Sequence, residues 1–103
     1  MVGFFRMTSK YTKSARGQEC QVRIPRVCNH NPETVVFAHL NGGGMGMKRP
    51  DIHGAYACSN CHDYVDLRNL KGVKIHPQER ARMFLEGVIR TQEIMIRDGI
   101  LKL

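Results

Sequence analysis

The clearest periodicity in the chain lies between Pro77 and Asp98, where Ala81, Phe84, Leu85, Val88, Ile89 and Met95 recur at three- and four-residue intervals. That spacing predicts a long amphipathic helix with those six side chains on its apolar face. Pro77 suits the first turn, Glu79 sits where the helix dipole favours an anion, and Gly99 is placed as the C-terminal cap. Gly87 weakens the helix and marks a place of close packing. Upstream the pattern changes. Residues 33–38, ETVVFA, are rich in β-branched and aromatic types and predict a short strand ending near His39. Residues 52–57 predict a second short strand able to pair with it. Between them, four glycines in the five positions 42–46 predict an irregular loop, open to close approach by a large ligand.

Residues 61–69 predict a short helix, capped by Ser59 or Asn60, with His62 and Asp66 one turn apart on one face. Lys71-Gly72 ends it. In the segment CQVRIPRVC, residues 20–28, Pro25 forbids a regular central strand, so an extended, turn-containing piece with both sulfurs on one side is expected. Asn29-His30-Asn31-Pro32 is turn chemistry. His30 and His76 read as turn and capping residues.

The order of elements predicts an α+β fold in a single domain over residues 19–103, preceded by a flexible basic arm over residues 1–18. That arm carries Arg6, Lys10, Lys13 and Arg16 with no acidic residue before Glu19, and it suits a phosphate backbone. The apolar tail, Ile100 to Leu103, docks on the core or on a second subunit, so a homodimer through the C-terminal helix is a further expectation. A chain of 103 residues without tryptophan has a modest core and invites a metal as an additional crosslink. Sixteen basic residues against nine acidic ones, +7 in all, favour polyanions such as nucleic acid. There is no run of 18 apolar residues and no signal-peptide pattern at the start, which predicts a cytoplasmic protein without membrane contact. In that compartment four cysteines read as metal ligands before they read as disulfides.

Cys58-x-x-Cys61 is half of a tetrahedral zinc site, and Cys20 and Cys28 are the obvious second half. Their wide spacing leaves His30 open as a replacement for Cys28. Four reduced core thiols and a redox pair are the competing readings. Four thiolates close a zinc ion to substrate, so this centre is a staple. The histidines carry different chemistry. Hydrolysing a phosphodiester needs a base to activate water and a cation to hold the charged oxygens. His39 is the expected base, His62 with Asp66 the expected nitrogen and oxygen ligands of Mg2+ or another divalent cation, and His53 the residue that orients His39. Lys48, Arg49 and the basic residues of the arm are expected to position phosphates.

The order Ala38-His39-Leu40, glycine-rich loop, Asp51-x-His53, four residues, Cys58-x-x-Cys61-His62 resembles the HNH, or ββα-metal, endonucleases. The resemblance implies a hairpin and a helix around one divalent cation. It also implies His39 as general base, His53 as the residue steadying it, and His62 as a ligand of the catalytic metal. Many members add a four-cysteine zinc site, which Cys20, Cys28, Cys58 and Cys61 reproduce. Over residues 18–98 the chain also resembles the small prophage-encoded YbcO-type nucleases. Two positions depart from the HNH pattern. Ala38 stands where an acidic residue or histidine is usual, and His53 replaces an asparagine. The missing ligand then falls to Asp66, with Asp63 and Asp51 as alternatives. The function implied is a metal-dependent DNA endonuclease, with RNA as a second substrate to consider. The alternative is a zinc-stapled nucleic-acid-binding module without catalysis.

Overall fold

A computed structural model of the chain describes residues 9–40 and 52–103. In order they form helix α1 (Lys10–Lys13), a 3-10 turn (Pro32–Thr34), strand β1 (Val36–His39), strand β2 (Gly54–Ala57), helix α2 (Ser59–Val65) and helix α3 (Pro77–Arg97). The fold is α+β, built on a two-stranded antiparallel sheet in which Phe37 faces Tyr56 and His39 faces Gly54. The ladder runs one step further, with the Leu40 N–H donating to the His53 carbonyl at 2.9 Å. Among the described residues no helix is long and apolar enough to cross a membrane.

A lone hairpin is marginal in water, and this one is stable because every side of β2 is covered. All four of its residues are buried. Its outer edge is not left open: the Tyr56 N–H donates to the Thr91 hydroxyl at 2.9 Å, and the Tyr56 carbonyl accepts from the Gln21 N–H at 2.7 Å. Thr91 therefore sits wholly buried in α3 at no cost in unmet hydrogen bonds, and it occupies a polar position that apolar periodicity does not mark. Gly87 lets α3 come down on the 20–28 segment. A Cβ there would lie 3.1 Å from the Gln21 carbonyl oxygen and from Val22 Cα, which accounts for the glycine.

The apolar face of α3 differs from the sequence expectation. Phe84, Val88 and Met95 are buried, but Leu85 and Ile89 remain 48% and 56% exposed, and Ala81 is also exposed. The reason is geometric. Phe84, Val88, Thr91 and Met95 form one stripe at i, i+4, i+7 and i+11, and a hairpin two strands wide covers only that stripe. Leu85 and Ile89 lie about 100° further round the helix and pass the sheet edge. His76 caps α3 as expected, its Nδ1 accepting the Gln78 N–H at 3.1 Å. Of residues 1–18, expected as a basic arm, residues 9–18 are described, and they are folded. Ala15 is buried and the Ser14 hydroxyl bonds the Tyr56 hydroxyl at 2.7 Å. Lys10, Lys13 and Arg16 point to solvent.

Candidate functional site

The cysteine cluster is assembled from two turns. Residues 20–28 fold back on themselves through Val27 and Cys28 N–H bonds to the Ile24 carbonyl, 3.1 and 2.9 Å, with Arg23 and Arg26 in the left-handed region. Such conformations cost non-glycine residues about 1–3 kcal/mol each and persist only where surroundings enforce them. Here they aim Cys20 and Cys28 at the second turn. That turn is the start of α2, where the sequence expectation of Ser59 or Asn60 as cap is corrected. Cys58 is the cap, its sulfur accepting the Cys61 N–H at 3.3 Å. A sulfur that accepts backbone donors is suited to being a thiolate. The Asn29 N–H adds another bond to Cys58 at 3.4 Å, and the Arg23 N–H one to Cys20 at 3.5 Å.

The four sulfurs of Cys20, Cys28, Cys58 and Cys61 all lie within 4.8 Å of one another, with Cys58 and Cys28 at 3.8 Å. Four sulfurs around one zinc at ~2.3 Å stand ~3.8 Å apart, so the set fits a single tetrahedral metal ion. None is in a disulfide. The four thiols perturb one another strongly. A hydrogen bond from Cys61 pulls the Cys20 thiol down to about 4, the same bond and then burial push Cys61 up, and burial first, then the neighbouring sulfurs, push Cys28 up to about 12. One thiolate is favoured and further ones repel it, which is the situation a bound cation relieves. His30, weighed as a replacement ligand, stands outside the cluster with Nδ1 3.7 Å from the Cys28 sulfur.

His39 and His53 lie at the other end of the hairpin, and His62 follows Cys61 on α2. His39, the last residue of β1, is exposed and meets the Phe37 ring edge-on, with centroids 5.2 Å apart. The Phe37 ring in turn fills the space over Gly54, where a Cβ would come within 2.4 Å of it. His39 and Asp66 line one cleft of about 190 Å³, together with Leu40, Val65, Arg80 and Phe84. On α2, His62 Nε2 is 3.4 Å from Asp66 Oδ2, the i, i+4 pair expected from the sequence. Asp66 is the C-cap of α2, which runs shorter than residues 61–69 because Leu67 turns left-handed at φ 62°.

His53 is half-buried, with Nδ1 sealed from solvent and without a hydrogen-bond partner among the described residues. Ala38 is buried, opposite Ala55. A carboxylate at that position would enter the core rather than the cleft, since alternate strand residues face opposite ways. Lys48, Arg49 and Asp51 lie outside the described residues. Arg68, which the sequence reading passed over, closes the group: its guanidinium reaches Asp63 at 3.1 Å, Asp66 at 3.4 Å and His62 Nδ1 at 3.3 Å. Among the described residues, the four cysteines are the only group of three or more His, Cys, Asp or Glu side chains whose ligand atoms converge. His62 and Asp66 are a pair.

A small α+β domain with a hairpin, a long C-terminal helix and a four-cysteine cluster able to bind metal is thus the class of protein in hand. The family model described as "Putative nuclease YbcO" matches residues 9–100, and the chain belongs to that family. Two relatives share 48% identity over 93 residues, 87% of this chain and 94% of each of theirs. They are "Putative nuclease YbcO" of Escherichia coli (strain K12) and "Putative nuclease ybcO" of Enterobacteria phage 82. A solved structure, "Structure of a putative bacteriophage protein from Escherichia coli str. K-12 substr. MG1655", is 45% identical. It superposes with a TM-score of 0.73 over 86% of this chain and 99% of that one.

Proposed function

We propose that this protein is a metal-dependent endonuclease of the HNH, ββα-metal, type that hydrolyses phosphodiester bonds of DNA. The observation that carries the reading is the single cleft lined by His39 from the hairpin and Asp66 from α2, with His62 at 3.4 Å from that carboxylate. The family's relatives bear the name nuclease, and the +7 charge suits a polyanionic substrate.

In this reading His39, exposed at the cleft, takes a proton from the attacking water, a step for which a neutral imidazole is suited near pH 7. His53 acts on His39 as a positioning residue. Through its carbonyl, which accepts the Leu40 N–H, it fixes the end of β1. His62 and Asp66 present one nitrogen and one oxygen to a divalent cation, Mg2+ being the first candidate, with the remaining positions left to water and phosphate. Bound there, the cation supplies charge stabilisation for the non-bridging and leaving oxygens. Lys10, Lys13 and Arg16, with Lys48 and Arg49, hold the phosphate backbone without reading bases. Cys20, Cys28, Cys58 and Cys61 hold a structural Zn2+, closed to substrate by its four sulfurs.

The test is incubation of the purified protein with supercoiled, linear and branched DNA, and with RNA, in Mg2+, Mn2+, Ni2+ or Zn2+, beside His39→Ala. Cleavage lost in the variant, with DNA binding and fold retained, is the expected result. A second reading, a zinc-stapled nucleic-acid-binding module, is favoured by one observation: among the described residues only the four cysteines converge as a set of three or more ligands, and His62 with Asp66 is a pair. Binding without cleavage under every metal decides for it.

A further inference from the structure

Arg68 is held by the way α2 stops. Leu67 in the left-handed region turns the chain back, and the Arg68 N–H then bonds the Asp63 carbonyl at 2.8 Å. Its side chain returns along the helix to Asp63, Asp66 and His62. A guanidinium has donors only. The His62 Nδ1 facing it at 3.3 Å must therefore accept, which puts the ring proton of a neutral His62 on Nε2, toward Asp66 Oδ2. In that arrangement neither ring nitrogen offers a free lone pair, and the same Asp66 oxygen receives both His62 and Arg68.

A divalent cation needs a ring lone pair and a carboxylate oxygen. It meets Arg68 as a competitor for both. Resting on the reading of His62 and Asp66 as the cation ligands, we propose that Arg68 is a positioning residue that holds these ligands closed to the cation until phosphate draws the guanidinium away. The side chain is half exposed and so within reach of a phosphate, and a phosphodiester accepts the same planar fork that Asp63 now occupies. Substrate binding and cation binding then favour one another, and by linkage each raises the affinity of the other by the same factor.

The test is a Mn2+ titration followed by electron paramagnetic resonance on the purified full-length chain, with no nucleic acid. Arg68→Ala binds Mn2+ about two- to fivefold more tightly than wild type, the scale of an exposed ion pair. Arg80→Ala removes the same charge from the cleft and shifts the affinity less; an equal gain reduces Arg68 to a diffuse charge and overturns the proposal. Imidazole 15N shifts give a second readout. Metal-free wild type shows the Nε2–H tautomer at His62, and Arg68→Ala shows a mixture; a mixture already in wild type also overturns it. In the His39→Ala background a short DNA duplex tightens Mn2+ binding, and adding Arg68→Ala removes most of that gain. His62→Ala and Asp66→Asn separate the two levels. If they leave Mn2+ affinity unchanged, the cation site itself is misassigned and the proposal falls with it. If they weaken binding while Arg68→Ala does not strengthen it, the cation site stands and the role of Arg68 is overturned.

Discussion

Cys58 follows β2 at one end of the hairpin, and His39 faces the first residue of β2 at the other, so Cys58 and the position of His39 lie about 13 Å apart along the strand. At the cysteine end four ligands converge, three of them buried, and backbone N–H groups reach two of the sulfurs. On α2 the two candidate ligands His62 and Asp66 have 30% and 26% of their side chains exposed, Asp66 lines an open cleft, and Arg68 contacts both. The difference is one of purpose. A complete, buried ligand set has nothing left to offer a substrate and serves the fold. A partial, accessible set leaves coordination positions vacant for reactants. Cys58 and Cys61 anchor the start of α2, the helix that carries His62 and Asp66, so rigidity made at the cysteine cluster is available for alignment at the cleft.

The largest effect follows from breaking the closed end. On the zinc reading, Cys58→Ala removes a ligand, the N-cap of α2 and the acceptor of the Asn29 N–H together. Structural zinc in small domains contributes apparent binding energies of the order of 10 kcal/mol. Cooperative thermal unfolding is expected to vanish in the variant, and in wild type treated with a strong chelator. The chelated protein should refold on return of one equivalent of Zn2+, measured by circular dichroism. Acid should mimic the chelator, because metal release requires the thiolates to take up protons. A variant that keeps its melting transition would make the cluster four ordinary core thiols.

On the nuclease reading, the open end should respond in rate and not in stability. His39→Ala is expected to lower DNA cleavage by about 10²–10⁴-fold, the range of a lost general base. Its melting temperature should stay within the small shift typical of exposed positions. If both ends changed stability equally, the contrast between staple and cleft would fail.

Much of this contrast was legible in the sequence because it is carried by periodicity and spacing. The α3 register, the β-branched run before His39, Cys58-x-x-Cys61 and the four-residue interval from His62 to Asp66 are local patterns with local causes. What was illegible depends on three-dimensional coverage. Leu85 and Ile89 fit the helical period and are still left outside, because the hairpin is too narrow to reach them. Thr91 looks polar and is wholly buried, because its partner is a backbone N–H on an element 35 residues away. Arg68 belongs to no motif and reaches His62 only through the backward turn at Leu67.

Thr91 yields the next prediction, because it supports the strand that both ends share. Thr91→Val keeps the shape and removes the acceptor for the Tyr56 N–H, leaving a buried donor unmet. The expected loss is about 1–3 kcal/mol. At ~4–8 °C per kcal/mol for a domain near this size, the melting temperature should drop clearly in calorimetry. Metal stoichiometry should be unchanged, since no ligand is touched. A variant as stable as wild type would show that the outer edge of β2 is held by Gln21 alone.

The smallest expected effect concerns His30, which the sequence left open as a substitute for Cys28. Its Nδ1 lies 3.7 Å from the Cys28 sulfur, so it sits beside a ligand and outside the cluster of four. A neighbour of that kind tunes a ligand instead of holding the metal, and its loss typically weakens binding by ~10–100-fold. The exposed position of His30 sets the expectation at the low end, near tenfold. His30→Ala should retain one equivalent of Zn2+, read in competition with a chromophoric chelator, while Cys28→Ala should lose it. Were the two variants reversed, His30 would be the fourth ligand and Cys28 the bystander, and the closed end of the hairpin would be a Cys3His site with a different geometry from the one the sulfur distances describe.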